Sequence, residues 1–210
     1  MTTIRKTLIV CAAVAALCAG CKSTPLSGAQ NTPSGSAAGT SAPAGGGANA
    51  PLARTRLAPS QVGTVPANLH CRMSGNAPTT YRPDPSCTPG AVQDAVTQSN
   101  IDSTICTTGY TTKIRPAVSA TDRIKHALYS AYGVPDSTKS ELDHLVSLEL
   151  GGSNDTANLW PEPGPLPNPK DSVENALHKA VCAHKVTLAA AQQAIATNWT
   201  TALAVTGAGK

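Results

Sequence analysis

The stretch Glu141-Leu142-Asp143-His144, followed by Gly151-Gly152 and then Asn158, gathers residue types that suit phosphodiester chemistry. Asp143 offers a hard oxygen ligand of the kind that Mg²⁺, Mn²⁺ or Ca²⁺ prefers. His144 carries an imidazole whose ordinary pKa lets it take a proton from water near neutrality. Hydrolysis of a phosphodiester requires a water to be deprotonated in line with the leaving oxygen, and the charge growing on that oxygen to be neutralised. His144 answers the first requirement, and a divalent ion held partly by Asp143 answers the second. Neighbouring residues of a regular strand point to opposite faces, so the pair serves one site only if the chain bends at their junction.

The elements that must position these groups are short. A strand over residues 142–144 delivers the Asp-His pair to a turn, Gly151 and Gly152 supply backbone angles closed to larger residues, and a second element returns Asn158. Asn168-Pro169-Lys170-Asp171 then reads as a cap, a proline at the first helical position and an early acidic residue. The apolar stripe Val173, Ala176, Leu177, Ala180 and Val181 continues it as a helix. Asn168 either caps this helix or gives its side-chain oxygen to the metal. Glu174 is a further direct or water-mediated ligand, and His178 packs or bonds locally. Lys170 meets a phosphate or is solvated. Glu141 and Glu149 are expected to point away, because crowded carboxylates repel a polyanion.

The pattern DHLVSLELGGSNDTANLWPE, with CTPGAV and STICTTGYTTKIRP before it and KDxxExxLHxxxC after it, resembles the HNH, or His-Me finger, nucleases. More closely, it is similar to a group of bacterial HNH-like proteins. The resemblance covers residues 71–199 and leaves the first third of the chain untouched. It implies an α+β domain with a ββα-metal core, in which a two-stranded hairpin and one helix surround a single metal ion. Asp143 and His144 would both reach that ion's site, and the Asn158 amide would bond across the hairpin and fix the histidine. Asn168 stands where the family often has a histidine at the helix start, and Ser147 where the relatives often have proline.

The amino-terminal end has Arg5 and Lys6 followed by an uncharged apolar run over residues 7–19, too short to span a bilayer comfortably. That is the form of a targeting signal over residues 1–20. Leu17-Cys18-Ala19-Gly20-Cys21 resembles the lipobox of bacterial lipoproteins, which implies a lipid on Cys21 and anchorage in the cell envelope. Lys22 after the cysteine points to the outer membrane in a host that has one. A conventional secretory signal is the alternative, and either takes the mature protein out of the cytosol. Residues 21–65 are mostly Gly, Ala, Ser, Thr and Pro, with too little apolar surface to offset the cost of ordering. They are expected to form a flexible tether, in which Arg54 and Arg56 are too few to make a nucleic-acid arm.

Residues 66–205 then form one domain of about 140 residues, with a tail at 206–210 expected to fray. Phe is absent and there are only two Trp and four Tyr, so the core must be built from Leu, Val, Ile and Ala and gains from covalent help. Cys71, Cys87, Cys106 and Cys182 read as two disulfides in any of three pairings, with a zinc site near Cys182 and His184 as the rival. His70 and Tyr81 are surface or packing residues. Residues 103–106 alternate weakly as a strand. Residues 110–116 read as an extended element presenting Lys113 and Arg115 on one face, toward phosphates or toward solvent. A helix capped by Thr121 runs to Gly133, and a last helix from Thr187 buries Leu188, Ala191, Ile195 and Trp199.

Over the whole chain Lys plus Arg number 16 and Asp plus Glu 12; without Arg5 and Lys6 the balance is 14 against 12, which implies no strong general affinity for nucleic acid. The expected function is endonucleolytic hydrolysis of DNA or RNA by a monomeric, tethered domain using one divalent ion, Mg²⁺ or Mn²⁺. A non-catalytic envelope lipoprotein and a toxin-like secreted nuclease are the alternatives.

Overall fold

The computed structural model describes residues 51–58 and 60–210. The expected signal, Cys21 and most of the expected tether lie outside the described residues. The described chain is α+β: β1 (Ala53–Thr55), β2 (Ala91–Gln93), α1 (Tyr110–Ile114), α2 (Val118–Ala131), β3 (Ser140–His144), β4 (Leu159–Pro163), α3 (Pro169–Cys182), α4 (Leu188–Asn198) and α5 (Ala202–Thr206). Among the described residues no helix is long and apolar enough to cross a membrane.

Strands β3 and β4 pair antiparallel with Asp143 opposite Trp160 and His144 opposite Leu159. The connection between them is compact because of its two glycines. Gly151 closes a short 3-10 turn at Leu148–Leu150 with φ 73°, and a Cβ on Gly152 would stand 1.7 Å from the Val146 carbonyl oxygen. Helix α3 follows, with Pro169 at its first position and Asp171 accepting the Asn168 backbone N–H at 2.9 Å. Its apolar side carries Val173, Leu177 and Val181 into the main core, where α4 brings Leu188, Ala191 and Ile195. Thr187 caps α4 by accepting the Ala190 N–H, and Trp199 is buried with its indole N–H donated to the Tyr81 carbonyl at 2.7 Å.

Several local expectations are corrected. Residues 51–58 and 60–65, read from the sequence as tether, carry ordered structure. β1 pairs in parallel with β2, Leu52, Val62 and Val65 pack on the core clusters, and Arg54 and Arg56 both bond Asp94. A few apolar anchors plus paired backbone outweigh a composition that alone reads as tether. In place of a strand at 103–106, a 3-10 helix at Gln98–Ser103 ends and residues 104–106 form a turn. In place of an extended element at 110–116 there is α1, entered through Gly109 at φ 79°. Arg115, just past the helix, is extended, the conformation that a following proline favours. Lys113 and Arg115 therefore share no strand face. Helix α2 starts at Val118, and Thr121 lies inside it with its hydroxyl donated to the Val118 carbonyl at 2.9 Å, so it caps nothing. At the tail, the Thr206 hydroxyl bonds the Ala202 carbonyl and Ala208 packs on the core.

The disulfides are Cys71–Cys87 and Cys106–Cys182, with Cα atoms 6.0 and 5.6 Å apart. They close loops of very different length, 16 and 76 residues. In the chain-entropy picture these constrain the unfolded state by about 3 and about 4.5 kcal/mol. Urea unfolding of Cys106→Ala/Cys182→Ala should therefore show a larger loss of stability than Cys71→Ala/Cys87→Ala; the opposite order would mean that native packing, not loop length, sets the difference.

Candidate catalytic and cation sites

The regular pairing of β3 runs through His144, so the bend that would bring Asp143 and His144 to one site does not occur. Alternation instead sorts the hairpin into two faces. One carries Glu141, Asp143, Trp160 and Glu162; the other carries Leu142, His144 and Leu159.

The first face is packed against the start of α3 and is acidic. Lys170, expected to meet phosphate or solvent, is 1% exposed, and its ammonium group meets the His144 carbonyl at 2.7 Å, the Asp143 carboxylate at 2.8 Å and the Glu174 carboxylate. All three of its N–H donors are used, so it is unavailable to a phosphate. Glu174 is thereby an ion-pair partner of Lys170. Asp143 also accepts the Trp160 indole N–H at 3.1 Å. Burial would lower the Lys170 pKa, but Asp143, Glu174 and Glu162 outweigh it and hold the ammonium charged.

Around this one cation stand four carboxylates. Ligand oxygens of Glu141, Asp143 and Glu162 lie within 4.8 Å of one another. Glu162 is 1% exposed, no N–H or O–H of another residue reaches its oxygens, and its hydrogen-bonding neighbour is the Asp143 carboxylate. Burial, then the Asp143 charge, pushes its pKa up to about 9. Burial raises Glu174 as well, against the pull of Lys170, and raises Glu141. Glu141 points into the cluster, contrary to expectation, and accepts the Asn168 side-chain amide, whose own oxygen is buried without a partner.

The expected ligand set of Asp143, Asn168 and Glu174 beside His144 is therefore not what the fold assembles. Glu174 is taken by Lys170, and Asp143 turns away from the histidine. The residues whose carboxylate oxygens come together for a hard divalent ion are Glu141, Asp143 and Glu162, and such an ion would balance the carboxylate charge that the single Lys170 ammonium does not. The sign of the pH effect follows. Between the ordinary value of 4.5 and about 9, folded Glu162 keeps a proton that the unfolded chain has released, so stability falls as pH rises through that window. Thermal melts in chelator should show this fall, Glu162→Gln should reduce it, and Mn²⁺ should raise the melting temperature more at pH 8 than at pH 5. Equal Mn²⁺ shifts at both pH values would argue against these carboxylates as its ligands.

On the second face His144 lines a cavity of about 140 Å³ with Arg115, Thr121, Leu142, Asn154 and Leu159. The ring lies 2.9 Å, through Nε2, from the Asn154 side-chain oxygen, and the Asn154 amide nitrogen donates to the Ile114 carbonyl at 3.1 Å. That second bond fixes which end of the Asn154 amide is the acceptor, so Nε2 carries the hydrogen and Nδ1 the lone pair. Burial of the ring lowers its pKa from 6.5 to about 4, against opposing contributions from Asn154 and Asp143. His144 is thus a neutral base at any pH above that value.

Asn158 is fully buried and gives its whole hydrogen-bonding capacity to backbone: it accepts from Val146 and Ala91 and donates to the Val146 and Ser153 carbonyls. It ties the connection to the hairpin and touches neither face's chemistry. Lys113 is exposed and does not line the His144 cavity, whereas Arg115 does. His178 bonds the Ile105 carbonyl at 2.9 Å. Glu162 and Asn154 are the groups that sequence reasoning missed. Alternation from Asp143 signals Glu141, but Glu162 enters only through the β3–β4 register, and Asn154 looks like a turn former within Gly-Gly-Ser-Asn-Asp.

No protein-family model, no curated protein and no solved structure matches the chain.

Proposed function

We propose that the chain hydrolyses phosphodiester bonds of DNA or RNA, with His144 as the general base and Arg115 as the group that meets the phosphate. The observation that carries this is one cavity lined by both an imidazole kept neutral by burial and a guanidinium. Asn154 plays the orienting part, holding Nε2–H so that the Nδ1 lone pair is the one that accepts a proton from water. The Arg115 fork suits two oxygens of a phosphate and opposes the charge that grows in the transition state.

A divalent ion belongs to the proposal at Glu141, Asp143 and Glu162, where it would supply the positive charge that lets those carboxylates be ionised together. Its place is across the hairpin from the His144 cavity, so proton removal and phosphate contact fall to this chain's own side chains. The order Asp143-His144, Gly-Gly, Asn158 and capped α3, with two β-strands before the helix, supports the resemblance to HNH proteins. Two disulfides suit an oxidising compartment.

The test is incubation of the oxidised protein with supercoiled plasmid and, in parallel, single-stranded RNA, with Mg²⁺, Mn²⁺ or chelator. Cleavage is expected, reduced by roughly 10²-fold or more in Arg115→Ala. Arg115→Lys should recover only part of it, since an ammonium cannot reproduce the fork. A folded sample that cleaves neither substrate would favour the non-catalytic envelope module. One observation already favours that second function: Asp143 turns from His144 and is held by Lys170 and Trp160 as a structural group would be.

A further inference from the structure

The Cys106–Cys182 disulfide has neighbours that the Cys71–Cys87 disulfide lacks among the described residues. Cys106, Cys182 and His178 have ligand atoms within 4.8 Å of one another. His178 precedes Cys182 by one turn of α3, so the two share a face of the helix. The ring bonds the Ile105 carbonyl through Nε2 at 2.9 Å; a carbonyl only accepts, so Nε2 carries the hydrogen and Nδ1 the lone pair. A metal-bound histidine is oriented in the same way, its second N–H given to a backbone carbonyl. Beyond it stands Glu149, with a carboxylate oxygen 3.7 Å from Nδ1. That separation is too long for a hydrogen bond and close to the roughly 3.3 Å between nitrogen and oxygen ligands of one tetrahedral zinc ion. All four residues are partly exposed, so reductant and ion can reach them.

We propose that reduction of Cys106–Cys182 converts this corner into a site for a zinc-like divalent cation, held by Cys106, Cys182, His178 and Glu149. A dithiol reductant opens the bond by exchange: its two thiols become a disulfide, and the two protein sulfurs each take up a proton. The metal then displaces those two protons and binds both thiolates. The geometric change is small. Two sulfurs on one tetrahedral zinc are about 3.8 Å apart, and the cysteine Cα atoms already stand 5.6 Å apart, so side-chain rotation supplies most of the opening. The site would replace one cross-link between residues 106 and 182 by another, keeping the long loop closed when the disulfide is lost. It does not depend on the proposed hydrolase, because His144 and Arg115 take no part in it.

The experiment titrates the full chain with Co²⁺ and then Zn²⁺, before and after reduction by a water-soluble phosphine, following thiolate-to-cobalt absorption and folding by circular dichroism. Reduced protein should show thiolate absorption at one Co²⁺ per chain, displaced by Zn²⁺, and oxidised protein none. The signal should persist in Cys71→Ser/Cys87→Ser, vanish in Cys106→Ser/Cys182→Ser, and weaken about tenfold or more in apparent affinity in His178→Gln. If reduction alone unfolds the chain, Zn²⁺ should restore the native spectrum. A reduced chain that gives no thiolate band, that follows the Cys71 pair instead, or that stays unfolded with Zn²⁺ would overturn the proposal.

Discussion

His144→Ala is expected to lower phosphodiester cleavage about 10²–10⁴-fold, the usual contribution of a positioned general base. The loss should fall on kcat, because the cationic group that meets the phosphate is Arg115 and remains in place. The fold should survive. His144 is partly exposed, and the one bond its side chain makes, 2.9 Å to Asn154, contributes about 1 kcal/mol. His144→Gln separates chemistry from architecture, since an amide can still donate to Asn154 but cannot take a proton. It should be as inactive as alanine and as stable as wild type. Full activity in either variant would remove His144 from the chemistry.

Lys170→Met should cost about 3–5 kcal/mol in urea unfolding, the range for removing one partner of a buried ion pair. The methylenes of the side chain are replaced almost volume for volume, so the loss is electrostatic. Asp143 and Glu174 lose their counter-charge in a place where Lys170 is 1% exposed, and the Glu162 carboxyl beside them brings no positive charge to replace it. Two further measurements sharpen the expectation. Lys170→Met/Glu174→Leu should recover part of the loss by removing the orphaned carboxylate, and Mn²⁺ should stabilise Lys170→Met more than wild type. A Lys170→Met protein of ordinary stability but weakened affinity for nucleic acid would instead return Lys170 to the role of a phosphate contact.

These two residues also show what sequence can and cannot disclose. The hairpin, its glycine turn and α3 were legible because each is dictated locally: Gly151 and Gly152 by backbone angle and close approach, and α3 by Pro169, Asp171 and its apolar stripe. Asn158 was legible only through the resemblance, as an amide bonding across the hairpin; it reaches the Val146 and Ser153 carbonyls. The partners of Asp143 were not. They depend on the register that sets Trp160 opposite it and on the depth to which α3 carries Lys170, and neither is written in any short window. Arg115 and Lys113 looked equivalent as alternating positions of an extended element. One short helix ending at Ile114 separated them, placing the first at the cavity that His144 lines and leaving the second at the surface. The disulfide pairing was open among three arrangements, because only the approach of α3 to the loop before α1 brings Cys182 to Cys106. Leu52, Val62 and Val65 made the opposite point: sparse anchors in a small-residue segment were enough to dock it.

The measurement that bears most directly on His144 as the base of the proposed hydrolase is the pH dependence of single-turnover cleavage in the acid range, for wild type beside His144→Ala. The wild-type rate should stay level well below the ordinary histidine value of 6.5 and fall only at about 4, where the desolvated ring finally takes a proton. That limb should be missing from whatever slow cleavage His144→Ala retains. A wild-type limb near 6.5, or an identical profile in both proteins, would contradict the role assigned to His144.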